Sequence, residues 1–131
     1  MYRLLSALPL PVLYRLGGLF YLLTYYVLRY RRRVVEQNLL AAFPELTPLQ
    51  RKNLGRAYYR QLCDVAVEIL KAASMPAEEF LERINLVNPE LLAELKQRDQ
   101  GAILLTVHQG NWEWMLHAVA MASGKIGRAH V

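Results

Sequence analysis

The sequence predicts an α/β protein: a membrane-associated N-terminal helix, then a helical segment, then the start of an α/β sheet that the chain does not complete. Three observations lead there. Leu4 to Leu28 is a 25-residue apolar run. Residues 31 to about 97 carry apolar positions at helical spacing with clear start and stop signals. Ala102 to Val107 is a continuous apolar stretch of strand length, followed by a polar turn and a further helix, the order that places a site at the carboxyl end of a strand. A chain of 131 residues has room for one domain, and 54% hydrophobic with 21% charged residues excludes a disordered chain. The single cysteine, Cys63, excludes a disulfide-stapled secreted module and suits a reducing compartment. Residues 1 to 60 hold ten Lys/Arg against two acids, Glu36 and Glu45, so the net charge of +5 belongs to the N-terminal half.

The first element, residues 1–30, reads as a membrane-anchoring or interfacial segment. About 20 apolar residues span a bilayer. Against spanning stand Arg15, whose insertion costs roughly 2.5 to 3.5 kcal/mol at mid-membrane, and Pro9 and Pro11, which weaken helical hydrogen bonding near the start. A tilted or interfacial insertion therefore stays open. Tyr14, Tyr21, Tyr25 and Tyr26 suit a headgroup boundary. A cleavable signal peptide is disfavoured, because Arg29, Arg31, Arg32 and Arg33 stand where a small-residue cleavage site would be. Those four arginines are expected to face the membrane surface and to hold the rest of the chain on the cytoplasmic side, each attracting anionic headgroups by about 1 kcal/mol. No base-reading motif accompanies them, so nucleic acid is not an expected partner.

The helical segment begins with Val34, Val35, Leu39, Leu40 and Phe43, a short amphipathic helix stopped by Pro44. Thr47-Pro48-Leu49-Gln50 then reads as a capping box with proline at the first helical position. The helix it starts is expected to bury a stripe of Leu54, Tyr58, Leu62, Val65 and Ile69 and to run to about Ala73, with Cys63 and its tyrosines in packing roles. Glu78 and Glu79 open a third helix that ends near Arg83. Ile84 to Val87 reads as a short strand, and Asn88-Pro89-Glu90 starts a helix burying Leu91, Leu92 and Leu95, with Gly101 just beyond its end.

After the strand at 102 to 107, His108-Gln109-Gly110-Asn111 forms the turn, and Trp112 to Ser123 a mostly buried helix. His108 and Glu113 are the candidate catalytic pair. Five residues along one helix would rotate the second side chain by about 140° away from the first, so the pairing depends on the turn. Gly110 can reverse the backbone and Asn111 can cap the helix, letting Glu113 reach back to the imidazole. The carboxylate would fix the tautomer, and the free ring nitrogen would take a proton from a hydroxyl. Helix-start amides can stabilise an oxyanion. No Ser or Cys stands beside His108, which favours direct attack by a bound alcohol over a covalent acyl-enzyme; Thr106 is assigned to strand burial. A metal reading remains open, with Glu113 and His117 one helical turn apart and His108 as third ligand, but no metal is assigned.

With these residues in place, the chain resembles the bacterial lipid A late acyltransferases (lauroyl and myristoyl type), within the lysophospholipid acyltransferase superfamily. The resemblance rests on Gly101-Ala102-Ile103-Leu104-Leu105 leading into His108-Gln109-Gly110-Asn111-Trp112-Glu113, on Asn38-Leu39 with Ala42-Phe43-Pro44-Glu45, and on the N-terminal apolar segment. It implies transfer of a fatty acyl chain from acyl carrier protein, or from coenzyme A, to a hydroxyl of a lipid A precursor or another glycolipid. The implied location is the cytoplasmic face of the bacterial inner membrane. It implies the base role for His108, the acidic partner for Glu113, and substrate positioning for Gly110, Asn111 and Trp112. No cofactor is called for. Gln109 replaces an aromatic residue of many members.

Members are longer, so residues 31–125 are read as the N-terminal part of an acyltransferase domain, inactive and poorly folded alone. Ile126-Gly127-Arg128-Ala129-His130-Val131 matches one reading frame of a common sequencing adapter and is read as a non-native tail. Two alternatives stand beside this reading: a related acyltransferase with another glycolipid or lysophospholipid acceptor, and a non-catalytic membrane adaptor using the apolar segment and its arginines.

Overall fold

The computed structural model describes residues 2–98, 103, 105–107 and 109–123. Among these residues every regular element is helical. They are α1 (Tyr2–Ser6), α2 (Leu10–Leu22) running into a π-helical turn (Leu23–Val27), α3 (Arg32–Ala42), α4 (Pro48–Ala72), α5 (Ala77–Arg83), α6 (Pro89–Gln97) and α7 (Trp112–Ser123). The described residues divide into two compact units, one up to Lys71 and one from Ala72 onward.

The N-terminal apolar run does not form one continuous helix. Pro9, extended at φ −59° and ψ 143°, separates α1 from α2, and the second proline sits in the first turn of α2, where its missing N–H costs nothing. The 13 residues of α2 extend about 20 Å at about 1.5 Å each. Among the described residues no helix is long and apolar enough to cross a membrane, which corrects the spanning alternative for residues 4–28.

At the end of α2 the hydroxyl of Thr24 donates to the carbonyls of Phe20 at 2.8 Å and Tyr21 at 3.2 Å. A side chain competing for ladder carbonyls loosens a helix. Here the ladder widens to a π turn, closed by Leu28 N–H to Leu23 C=O at 2.9 Å. Two left-handed residues come next, Arg29 at φ 49° and Arg31 at φ 50°. A Cβ disfavours this conformation, and the Tyr59 hydroxyl, donating to the Tyr30 carbonyl, ties the bend down.

The capping box at the start of α4 forms in both directions. Gln50 N–H donates to Thr47 Oγ1 at 3.3 Å, and Thr47 N–H donates to Gln50 Oε1 at 2.8 Å. The buried stripe of α4, however, is Gly55, Tyr59, Cys63 and Val67, one residue round from the expected one. Leu54, Tyr58, Leu62 and Ile69 are 36 to 47% exposed. Adjacent residues lie about 100° apart on a helix, so α4 offered two apolar stripes, and close approach of α2 selected between them. A Cβ on Gly17 of α2 would stand 3.5 Å from the Cys63 carbonyl and 3.3 Å from Asp64 Oδ1. Small residues let the backbones meet there, and Tyr21, Tyr25, Tyr59 and Cys63 fill the space beyond, with Val35 packed against them. Tyr25 and Tyr59 meet edge to face at 5.3 Å, and Tyr21 stacks on Tyr25 at 5.7 Å, geometries that suit the ring quadrupoles. Polar ties complete the contact: Tyr14 Oη donates to Glu68 at 2.7 Å, and Lys71 Nζ to the Ser6 and Leu8 carbonyls at 3.2 and 3.3 Å. Of the apolar side expected for α3, Val35 and Leu39 are half-buried, whereas Val34, Leu40 and Phe43 are exposed.

In the second unit α7 packs against α5 and α6. Its core is Met75, Phe80, Trp114 and Ala118, with Phe80 and Trp114 edge to face at 5.8 Å. The expected α/β sheet is absent: no described residue is in a strand. Ile103, Leu105 and Val107 are 91, 90 and 67% exposed, and Thr106 is exposed rather than buried. An apolar strand becomes stable only when its N–H and C=O groups pair with a neighbour and both faces are covered. The other expected strand, Ile84 to Val87, links α5 to α6 without pairing. Helix α7 is less buried than expected, Leu116 and His117 being exposed.

Candidate functional site

The turn that leads into α7 is built by local chemistry. Gln109 N–H donates to Val107 C=O at 2.8 Å. Gly110 comes next at φ 62°, a left-handed conformation that a side chain would strain. The Asn111 side-chain oxygen then accepts the Trp114 N–H at 3.1 Å, an N-cap bond three residues into the helix. Trp112 and Glu113 open the first turn and are half-buried. A carboxylate there sits at the positive end of the α7 dipole, where the first backbone N–H groups of a helix point outward along its axis. Gly110, Asn111 and Glu113 thus occupy the local positions that the sequence spacing calls for. His108 lies outside the described residues, as do Gly101, Ala102, Leu104 and the tail at 126–131.

His117, the remaining member of the metal reading, sets its ring against Phe80 at a tilt of 34°, with centroids 5.3 Å apart. That contact gives it a packing role on the α5 side of α7. Among the described residues no group of three or more His, Cys, Asp or Glu side chains gathers as metal ligands do.

A family model described as bacterial lipid A biosynthesis acyltransferase matches residues 1–130. The chain belongs to that family. No curated protein and no solved structure matches it. Membership makes this lipid A acyltransferase a transferase of acyl groups in lipid A biosynthesis, which takes an acyl donor and a lipid acceptor.

The arginine cluster of this acyltransferase is less uniform than its sequence. Arg29, Arg31 and Arg33 are exposed around the left-handed bend, where the cluster borders an open cleft of about 510 Å³. Arg32 turns inward, its guanidinium 4.7 Å from the centroid of the Tyr25 ring and 3.8 Å from Glu36. A cation held over an aromatic face serves the core more than the surface. Arg56 and Arg60, which the apolar pattern leaves on the outer side of α4, instead line a cleft against Tyr21 and Tyr26. Their spacing of four residues is the signal available in the sequence, since it places both on one helical face.

Proposed function

We propose that His108 and Glu113 form the catalytic dyad of this lipid A acyltransferase. The observation that supports the reading is the reversal at Gly110 joined to the Asn111 cap, which sets Glu113 at the start of α7 beside its first backbone amides. His108 stands two residues before Gly110 in the sequence. In the proposed reaction a hydroxyl of a lipid A precursor attacks the carbonyl carbon of an acyl thioester carried by acyl carrier protein or coenzyme A. The imidazole takes the hydroxyl proton as the C–O bond forms, and Glu113 accepts a hydrogen bond from the other ring nitrogen. Helix-start amides stabilise the oxyanion. As the C–S bond breaks, the imidazolium returns the proton to the departing thiolate, leaving an ester and a free thiol. Electrons and protons balance without a cofactor. Gly110, Asn111 and Trp112 shape the turn and position substrate.

The reaction is placed at the cytoplasmic face of the bacterial inner membrane. Leu4, Leu19, Val27 and Leu28 are 62 to 79% exposed, so the N-terminal segment offers apolar contacts for lying in the interface, while Arg29, Arg31 and Arg33 meet anionic headgroups. Acyl transfer from a thioester donor to a lipid A precursor, measured on the inner-membrane enzyme carrying this sequence, tests the dyad. His108→Ala is expected to lower turnover by about 10²- to 10⁴-fold, the usual span of general-base catalysis, and Glu113→Gln by a smaller factor within it. Wild-type turnover in His108→Ala would remove the proposed base.

A further inference from the structure

Between the π turn and α4 lies a cleft of about 590 Å³ whose lining no part of the acyl-transfer reading uses. Tyr21 and Tyr26 form one wall, and Arg56 and Arg60 rise from α4 opposite them. The Nε–H of Arg56 is enclosed and has no hydrogen-bond partner. The Tyr25 hydroxyl is the largest influence on this guanidinium and raises its pKa above the ordinary value. Arg60 lies over the Tyr21 ring, 5.3 Å from the centroid, an arrangement that leaves in-plane N–H groups for another acceptor. Among the described residues neither arginine has a carboxylate within ion-pair distance.

We propose that this cleft binds a phosphate group, held between the guanidinium forks of Arg56 and Arg60. Two forks one helical turn apart match the several acceptor oxygens and the double charge of a phosphate better than a single carboxylate. The amides of Asn53 and Gln61, also in the lining, supply donors for the remaining oxygens. Among the described residues Asp64 is the one carboxylate of the lining, and its Oδ1 lies toward α2, 3.3 Å from where a Cβ on Gly17 would stand. Burial, then the charge of Glu68, raises its pKa above the ordinary value. The site is independent of His108 and Glu113.

The test tracks the arginine Nε–H resonances of the isotopically labelled chain during titration with inorganic phosphate. In parallel, binding is measured to phosphatidylcholine vesicles with and without phosphatidic acid. The Arg56 Nε–H signal is expected to shift downfield and saturate, and Arg56→Gln with Arg60→Gln is expected to weaken phosphate binding at least about tenfold. Lys52→Gln, at an exposed position of α4 outside the cleft lining, should leave the free-phosphate titration unchanged. If the Arg56/Arg60 pair also governs the preference for phosphatidic acid vesicles, the ligand is a lipid headgroup. If it governs only the free anion, the ligand is a soluble phosphate. Either outcome supports the site. Circular dichroism checks that the Gln pair is folded, and Arg56→Lys with Arg60→Lys, which keeps charge but loses the forks, provides a second variant expected to bind more weakly than wild type. No saturable shift at Arg56, or undiminished phosphate binding in both double variants, would overturn the proposal.

Discussion

Replacing Tyr59 by alanine is expected to destabilise the first unit severely, whereas the same change at its neighbour Tyr58 is expected to be nearly silent. Tyr59 is 2% exposed and Tyr58 is 47% exposed. Tyr59 touches Tyr25 at 5.3 Å, and its hydroxyl bonds the Tyr30 carbonyl within the left-handed bend. Burial pushes its phenol pKa up, so the hydroxyl stays a donor well above neutral pH. Deleting a buried aromatic ring costs about 3 to 5 kcal/mol through lost transfer energy and the cavity left behind. A unit of this size has a total stability of roughly 4 to 10 kcal/mol at about 0.05 to 0.15 kcal/mol per residue, so the loss is a large part of it. Tyr59→Phe keeps the ring and loses one hydrogen bond, about 1 kcal/mol net. Tyr58→Ala removes half-solvated surface and its 5.5 Å contact with Tyr59, for less than about 1 kcal/mol. Urea unfolding monitored by circular dichroism at 222 nm reads all three as displacements of the midpoint at a common slope. An equal loss in Tyr58→Ala and Tyr59→Ala would show that α4 buries the other stripe, and the packing of α2 on α4 would be wrong.

Three further outcomes are open to measurement. Gly17→Val should lower the urea midpoint, because its side chain would press on the Cys63 backbone and Asp64, whereas Gly18→Ala, with nothing within 4 Å of the added Cβ, should raise it by helix propensity of up to about 1 kcal/mol. Burial, then the charge of Glu68, raises the Asp64 pKa above its ordinary value against a smaller opposing effect of Arg60. The folded state therefore holds this proton more tightly than the unfolded chain does. The resulting stability is present below about pH 4 and is lost as pH rises through the folded pKa. Asp64→Asn should accordingly raise the midpoint at pH 7, with the gain shrinking as pH falls toward 4; a gain independent of pH would refute the assignment. Asn111→Ala should cost about 1 kcal/mol at the start of α7, seen as faster hydrogen exchange at the Trp114 amide, and unchanged exchange there would deny the cap its role.

Local chemistry was legible in the sequence wherever it depends on a few neighbouring residues. The Thr47/Gln50 capping box, the stop at Pro44, the acidic start of α5, and the Gly110-Asn111 turn into α7 were all readable because their partners lie within three or four positions. The resemblance to the lipid A acyltransferases rested on equally local runs of residues, and the family match bears out the family. Choices between equivalent surfaces were decided by tertiary structure alone. Leu54-Tyr58-Leu62 and Gly55-Tyr59-Cys63 are adjacent stripes on one helix, and the more apolar of the two was left open because close backbone approach at Gly17 needs small groups, a condition set by α2 from roughly 40 residues away. Ile103 to Val107 has strand composition, but a strand exists only through its neighbours. The 25-residue apolar run was broken by Pro9 and widened by Thr24, because continuity of a helix depends on which carbonyls remain available, a property of backbone geometry rather than hydropathy.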